Sequence, residues 1–338
     1  MRYVVTGASG FVGSALVAEL LKHPETEDVL CIDIKRNMDR VPQDPKVSFV
    51  EGSIEEIKFL ASNIAASNYD VFFHFAWAGS AGSLRTDEKL QTKNALLTVD
   101  SLKVAKEMGC KKFVCAGSIM EYEVHAVTYS QGTKPGLPYI YGVGKVLAHE
   151  LCKPISNEIG IELVWAYITN AYGVGENSPR FINTTMRKII NKERLEFTSG
   201  IQNYDFIYID DVARAFYLLG VNGKANNGYI VGSGNARPLK EFILEMVAAN
   251  SNDNQPHFGD VPFTGVNLPL EIFSTKQIEE DTGFKAEVSF AEGTKRTIDW
   301  LRGGVFKTRR YNQIAESIKL TVSPNLFRVI DCPVGGRA

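Results

Sequence analysis

One short run constrains this chain more than any other feature. Thr6-Gly7-Ala8-Ser9-Gly10-Phe11-Val12-Gly13 stands between an apolar, strand-like stretch (residues 3–5) and an amphipathic, helix-like stretch (residues 11–22). Each glycine has a mechanical reason. One makes a turn too tight for a Cβ, one lets backbone amides approach a pyrophosphate, and one lets the helix pack closely on the sheet. The N-terminus of the following helix presents unpaired N–H groups and the positive end of its dipole to an anion. Asp33 lies twenty residues beyond Gly13, at the end of the next strand-like run. That is the place for a carboxylate holding the ribose hydroxyls of an adenosine. Gly7, Gly10, Phe11, Val12, Gly13 and Asp33 are therefore expected to bind a dinucleotide. A carboxylate repels a 2′-phosphate, so NAD is the expected cofactor; Lys35 and Arg36 just beyond it leave NADP open.

The rest of the first half keeps the same rhythm. Apolar runs at 29–32, 47–50, 71–75 and 112–116 are short and rich in Val, Ile and Phe, as buried parallel strands are. Helical patterns at 54–66 and 88–108 separate them, a long helix is expected over 139–159, and a strand over 161–167. Pro154 is expected to bend or interrupt the long helix. The alternation predicts an α/β protein with a Rossmann-type, doubly wound parallel sheet and a smaller C-terminal α/β substrate lobe. The expected division is residues 1–170 for dinucleotide binding and 171–302 for the substrate lobe, with about 207–222 returning to the sheet. Residues 303–338, with Lys307, Arg309 and Arg310, form a tail without periodicity.

The bulk properties exclude several classes. Among 338 residues, 44 % are hydrophobic and the net charge is −2, so neither a nucleic-acid nor a membrane-surface partner is expected. No apolar run is long enough to span a bilayer. The chain enters a strand at once, with no signal-peptide pattern, which points to the cytoplasm. Five cysteines (Cys31, Cys110, Cys115, Cys152, Cys332) show no CxxC spacing, and no metal site is expected.

The candidate chemical centre follows from two side chains one helical turn apart. Tyr141 and Lys145 are at i and i+4. A phenol, with an ordinary pKa of about 10, is a poor acid–base group at neutral pH unless positive charge favours its anion. Lys145 and a nicotinamide cation would supply that charge, so that Tyr141 exchanges a proton with a sugar hydroxyl. Ser118, at the end of the strand before it, would hydrogen-bond the same oxygen.

Together these motifs resemble the extended short-chain dehydrogenase/reductases, the nucleotide-sugar epimerase/dehydratase/reductase family. The resemblance spans about residues 1–302. It rests on TGASGFVG, His74-Phe-Ala-Trp, Asn94, Ala-Gly-Ser118 with Tyr122, Tyr141 to Lys145, Asn170-Ala-Tyr-Gly173, and the run from Asp205 to Ala213. It implies that Tyr141 is the acid–base residue, that Lys145 orients it and binds the nicotinamide ribose, and that Ser118 polarises the reacting oxygen. It also implies that Ser53 and Ala76 lie against the cofactor. Asn94 would shape the active site, and Asn170 would contact the substrate. His74 reads as a strand-end histidine. Asp210 reads as a helix cap in the Tyr208/Asp210/Asp211 cluster.

The chain also departs from the family pattern. Ile119-Met120 occupy the places of the Asp-Glu pair that eliminates water in the dehydratases, and Glu121 is only a weak substitute. Ser53 replaces an acidic residue near the adenine. Tyr204 and Tyr167 stand where arginines are common. Either other cations grip a diphosphate, with Arg180, Arg187 and Arg237 the candidates, or the substrate is not a standard nucleotide sugar; a base or sugar stacked on Tyr204 is the third alternative. The leading expectation is an NAD-dependent nucleotide-sugar epimerase. An NAD(P)H-dependent 4-ketoreductase is second, and a non-catalytic dinucleotide-binding sensor third. Pairing of helices 88–108 and 139–159 into a four-helix interface would give a homodimer.

Overall fold

The computed structural model describes residues 1–37, 40–64, 68–132, 134–250 and 255–303. The tail with Lys307, Arg309, Arg310 and Cys332 lies outside the described residues. The first half consists of β1 (Arg2–Thr6), α1 (Phe11–Leu20), β2 (Asp28–Asp33), β3 (Val47–Glu51), α2 (Ile57–Asn63), β4 (Val71–His74), α3 (Glu88–Glu107), β5 (Lys112–Ser118), α4 (Met120–Thr128), α5 (Tyr139–Ile159) and β6 (Glu162–Ile168). Beyond it come β7 (Ala171–Tyr172), α6 (Phe181–Asn191), β8 (Glu196–Phe197), β9 (Asn203–Tyr204), β10 (Ile207–Tyr208), α7 (Ile209–Asn222), β11 (Asn227–Val231), β12 (Arg237–Pro238), α8 (Leu239–Ala249), β13 (His257–Phe258) and α9 (Lys276–Thr282).

Seven strands form one parallel sheet in the order β3-β2-β1-β4-β5-β6-β11. Neighbouring residues of each inner strand face opposite sides, which is why these strands read as unbroken apolar runs. Val5, Phe73, Val114 and Val164 join a core with Leu16 of α1 and Phe216 of α7. Val4, Phe72, Phe113 and Leu163 join a second core with Leu102 of α3 and Ala148 of α5. The strand order reverses at β1, so a crevice opens beyond the carboxyl ends of β1 and β4, the usual ligand position in such sheets.

Two local expectations are corrected and one is refined. Helix α5 runs through Pro154 without interruption and stops at Gly160, which takes the left-handed conformation (φ 66°) of a helix C-terminus. Glu150 and Pro154 are both exposed, so water can take the hydrogen bond that the missing N–H would have made. Residues 207–222 meet the main sheet through a helix: β10 pairs with β7, while α7 packs on α1 and against β5 and β6. The strand that joins the main sheet is β11, parallel to β6. Asp210 does not cap α7, whose N-terminal boundary residue is Tyr208 with no side-chain cap. It is Asp211 that ties this helix down, accepting the N–H groups of Glu287 (3.0 Å) and Val288 (2.9 Å) and pairing with Arg214 (2.7 Å). Helix α4, directly after Ser118, was not expected.

Among the described residues, no helix is long and apolar enough to cross a membrane, and no group of three or more His, Cys, Asp or Glu could hold a metal ion. Cys31, Cys110, Cys115 and Cys152 are buried free thiols.

Candidate active site

Two adjoining cavities occupy the crevice. The first, about 400 Å³, is lined by Gly7, Gly10, Phe11, Val12, Gly13, Asp33, Ser53 and Ala76. All eight sequence-derived cofactor residues from the loops after β1 to β4 therefore meet in one space. Gly7 (φ +70°) sits where the loops after β1 and β4 touch: a Cβ there would stand 2.8 Å from the Ala76 nitrogen. A Cβ on Gly13 would collide with the Gly7 carbonyl oxygen. These are cradles that only glycine permits, and they fit a dinucleotide whose phosphates lie on the α1 N-terminus.

Asp33 is held by the glycine turn itself. Its Oδ2 accepts the Ser9 N–H at 2.8 Å, and its Oδ1 accepts the Ile34 N–H at 2.7 Å. Burial raises its carboxyl above the usual range, and these two donors act in the opposite direction. Ser53 Oγ accepts the Glu55 N–H at 3.2 Å, capping a short turn. Neither Lys35 nor Arg36 lines the cavity, and the Arg36 guanidinium lies over Phe49.

The second cavity, about 650 Å³, is lined by Arg85, Met120, Glu123, Asn170, Tyr204 and neighbouring residues. Ser80, Ser118, Tyr141, Thr169, Ala171 and Arg180 line both cavities. Tyr141 and Ser118 thus stand at the seam, where a group on one ligand can exchange protons beside the other. Lys145 is buried one turn further along α5, lining the first cavity. Its Nζ donates to the Ala116 carbonyl at 2.8 Å and lies 3.6 Å from the centre of the Trp77 ring. Trp77 is fixed by its own bond from Nε1 to Gln91 Oε1 (2.8 Å) and meets the Tyr141 ring edge-on.

Other candidates have different roles. Asn94 lines the first cavity only, and both ends of its amide bond the backbone of Ala78 (2.8 and 3.2 Å), so it braces the loop after β4. Asn170 lines the second cavity and donates to the Asp205 carbonyl at 3.0 Å. Arg180 lines both cavities, with Nε 3.5 Å from Glu176 Oε2. Arg237 lines neither: it is paired with Glu245 and stacked over Phe242, which removes it from the substrate-binding candidates. Arg187 is bound to Asn183 Oδ1 and lines neither cavity. Tyr204 stacks on Phe206, leaving at most one ring face for a ligand. Tyr167 bonds His149 and lines neither cavity. His74 bridges the hydroxyls of Thr6 (2.9 Å) and Thr98 (3.3 Å). Burial, assisted by the Lys145 charge, pushes its pKa down to about 3, so it remains neutral.

Two lining residues were missed in the sequence. Arg85 comes from a short turn (Ser83–Thr86) after β4, in a Gly/Ser-rich stretch with no periodic signal. Glu123 is on α4, and burial pushes its carboxyl up to about 7 although the Arg85 charge pulls the other way. Had α4 been expected, i+3 spacing from Met120 would have placed Glu123 on the cavity side. Glu121, considered as a substitute base, is turned away into the protein. It is 1 % exposed, accepts from Trp165 Nε1 and the Ser118 N–H, and lines neither cavity.

Fold and site together define a dinucleotide-binding α/β protein of the Rossmann class, with a tyrosine–lysine–serine centre at the junction of two ligand cavities. A sequence model of the "NAD dependent epimerase/dehydratase family" matches residues 3–232. The chain belongs to that family, and hence to the extended short-chain dehydrogenase/reductase enzymes. It is 26 % identical over 308 residues to a putative UDP-glucose 4-epimerase of Methanocaldococcus jannaschii, covering 88 % of this chain and 98 % of that one. It is 25 % identical to the dTDP-4-dehydro-6-deoxyglucose reductase of Escherichia coli, covering 88 % and 97 %. Its fold is similar to that of Bordetella bronchiseptica WbmF, solved with NAD+ and UDP: TM-score 0.74, 23 % identity, covering 95 % and 98 %.

Proposed function

We propose that this protein is an NAD-dependent epimerase of a nucleotide-linked sugar. The observation that carries the reading is the position of Tyr141 and Ser118, which line both cavities at once. NAD held in the first cavity would supply the hydride acceptor and donor, and inversion requires that the keto sugar present its other face before the hydride comes back. The protein's own part is the proton. Tyr141 takes it from the sugar hydroxyl and later gives it back, and Lys145 one turn along α5 lines the cofactor side of the same seam. The Ser118 hydroxyl hydrogen-bonds the same sugar oxygen as its charge changes. Asn94, by bracing Ala78, keeps the wall of the cofactor cavity in place.

Water elimination fits the site less well. Its usual paired carboxylates are replaced by Ile119 and Met120, and the nearby Glu121 is committed to Trp165 and Ser118. The Asp33 carboxylate supports NAD over NADP, because a 2′-phosphate would meet negative charge there.

The test is to incubate the purified protein with UDP-glucose, UDP-glucuronic acid and dTDP-glucose without added nicotinamide. Interconversion of a sugar into its epimer, with no net change in the absorbance of reduced nicotinamide, is expected. Steady consumption of added NADH with a 4-keto sugar would instead give the ketoreductase. A homodimer through α3 and α5 belongs to the same reading. Leu96 and Val143 are apolar side chains exposed on those two helices, and sedimentation analysis checks it.

A further inference from the structure

One cation beside Tyr141 is one the sequence did not suggest. The Arg85 guanidinium carbon lies 4.6 Å from the centre of the Tyr141 ring. Its Nε is buried without a hydrogen-bond partner, and one of its terminal nitrogens faces Met120 Sδ, a weak acceptor. Among the described residues no carboxylate forms an ion pair with it.

The groups around it do not neutralise it. Arg180 adds positive charge from the α6 side, although it leans on Glu176. Tyr204 faces it from β9. Glu123 from α4 is the nearest acid, and it stands outside ion-pair distance. A half-buried guanidinium whose Nε is shut off from water without a partner costs free energy that an arriving anion would recover in part. Over the ring of Tyr141, Arg85 would face substituents of a sugar reacting there rather than the nucleotide. Its planar fork of donors matches a carboxylate.

We propose that Arg85 is an anion-binding residue at the sugar end of the cavity, and that the nucleotide-linked sugar it receives is a sugar acid. This rests on the epimerase reading above and adds its substrate class.

Titration calorimetry on the NAD-saturated protein tests it, with UDP, dTDP, UDP-glucose, dTDP-glucose and UDP-glucuronic acid as probes. UDP-glucuronic acid is expected to bind roughly tenfold or more tightly than UDP-glucose. Arg85→Gln should erase that preference and leave UDP affinity unchanged, and Arg85→Lys should retain part of it. The wild-type comparison stands even if a variant fails to fold. Equal binding of the two UDP sugars overturns the inference, as does an Arg85→Gln variant that weakens UDP itself as much as the sugar acid. If none of the nucleotides or nucleotide sugars binds, the nucleotide-sugar reading falls and takes the inference with it. If the neutral sugars bind and the acid gains nothing, the inference fails alone.

Discussion

The Glu121 carboxylate accepts the backbone N–H of Ser118 at 2.8 Å while the same group holds the Trp165 indole N–H at 3.1 Å. Ser118, which lines both cavities, is therefore fixed from beneath by a buried acid that does not line either one. His149 stacks flat on Trp165 at 4.3 Å and places its Nδ1 3.6 Å from Glu121 Oε2. Glu121→Leu would strip both N–H donors of their acceptor. It should cost about 2–4 kcal/mol in urea unfolding, since two buried donors are left unpaired. Turnover should fall roughly tenfold to a hundredfold through misplacement of Ser118. Glu121→Gln keeps a carbonyl acceptor and should recover most of both losses.

Tyr141→Phe removes the phenol and little else. Turnover should drop roughly a hundredfold to ten-thousandfold, the usual worth of a positioned acid–base group. NAD affinity, followed by fluorescence of the bound reduced form, should hardly change, because the cradle is built from the loops after β1 to β4. Unchanged turnover would remove Tyr141 from the chemistry.

Glu123 makes a prediction about pH. Burial raises its folded-state pKa from the ordinary 4.5 to about 7. Between those values the folded protein holds a proton that the unfolded chain has released, so stability falls as pH rises across this window. Above pH 7 the penalty is fully present, on the order of 2–3 kcal/mol. Glu123→Gln should remove this component. Melting temperatures of wild type and variant should converge near pH 4.5 and separate toward pH 8, with the variant higher.

Asp33 and Gly13 test the cofactor cradle. Asp33→Ala removes the acceptor for Ser9 and for the ribose, and should weaken NAD roughly tenfold to a hundredfold. NADP should lose less, narrowing the preference between the two. Gly13→Ala drives a methyl into the Gly7 carbonyl. It should abolish detectable dinucleotide binding and cost about 1–3 kcal/mol of stability from overpacking.

The parts of this molecule legible in the sequence are those built from local rules. The glycine turn, Asp33, the short apolar strands and the Tyr141–Lys145 pair each follow from spacing along one element, and they meet where the parallel topology brings them. The harder parts depend on tertiary packing. Arg237 looked like an anion clamp until Glu245 took its charge. Arg85 sits in a loop whose path no periodicity reveals. Glu121 and Glu123 are two residues apart, yet α4 turns one inward and the other to the cavity. Pro154 was a warning that the helix ignored, because it fell on an exposed face.

The last strand of the main sheet also has a bearing on how such enzymes can diversify. Strand β11 completes the sheet beside β6, so everything from β7 to α7 is looped out between two adjacent strands. A chain cut after residue 170 would leave β6 as a raw edge, open to pairing with other molecules. The stretch from β7 to β9, which lines the second cavity, is therefore anchored at both ends by the sheet, and altering it leaves the strands around the first cavity in place as long as β11 stays paired with β6.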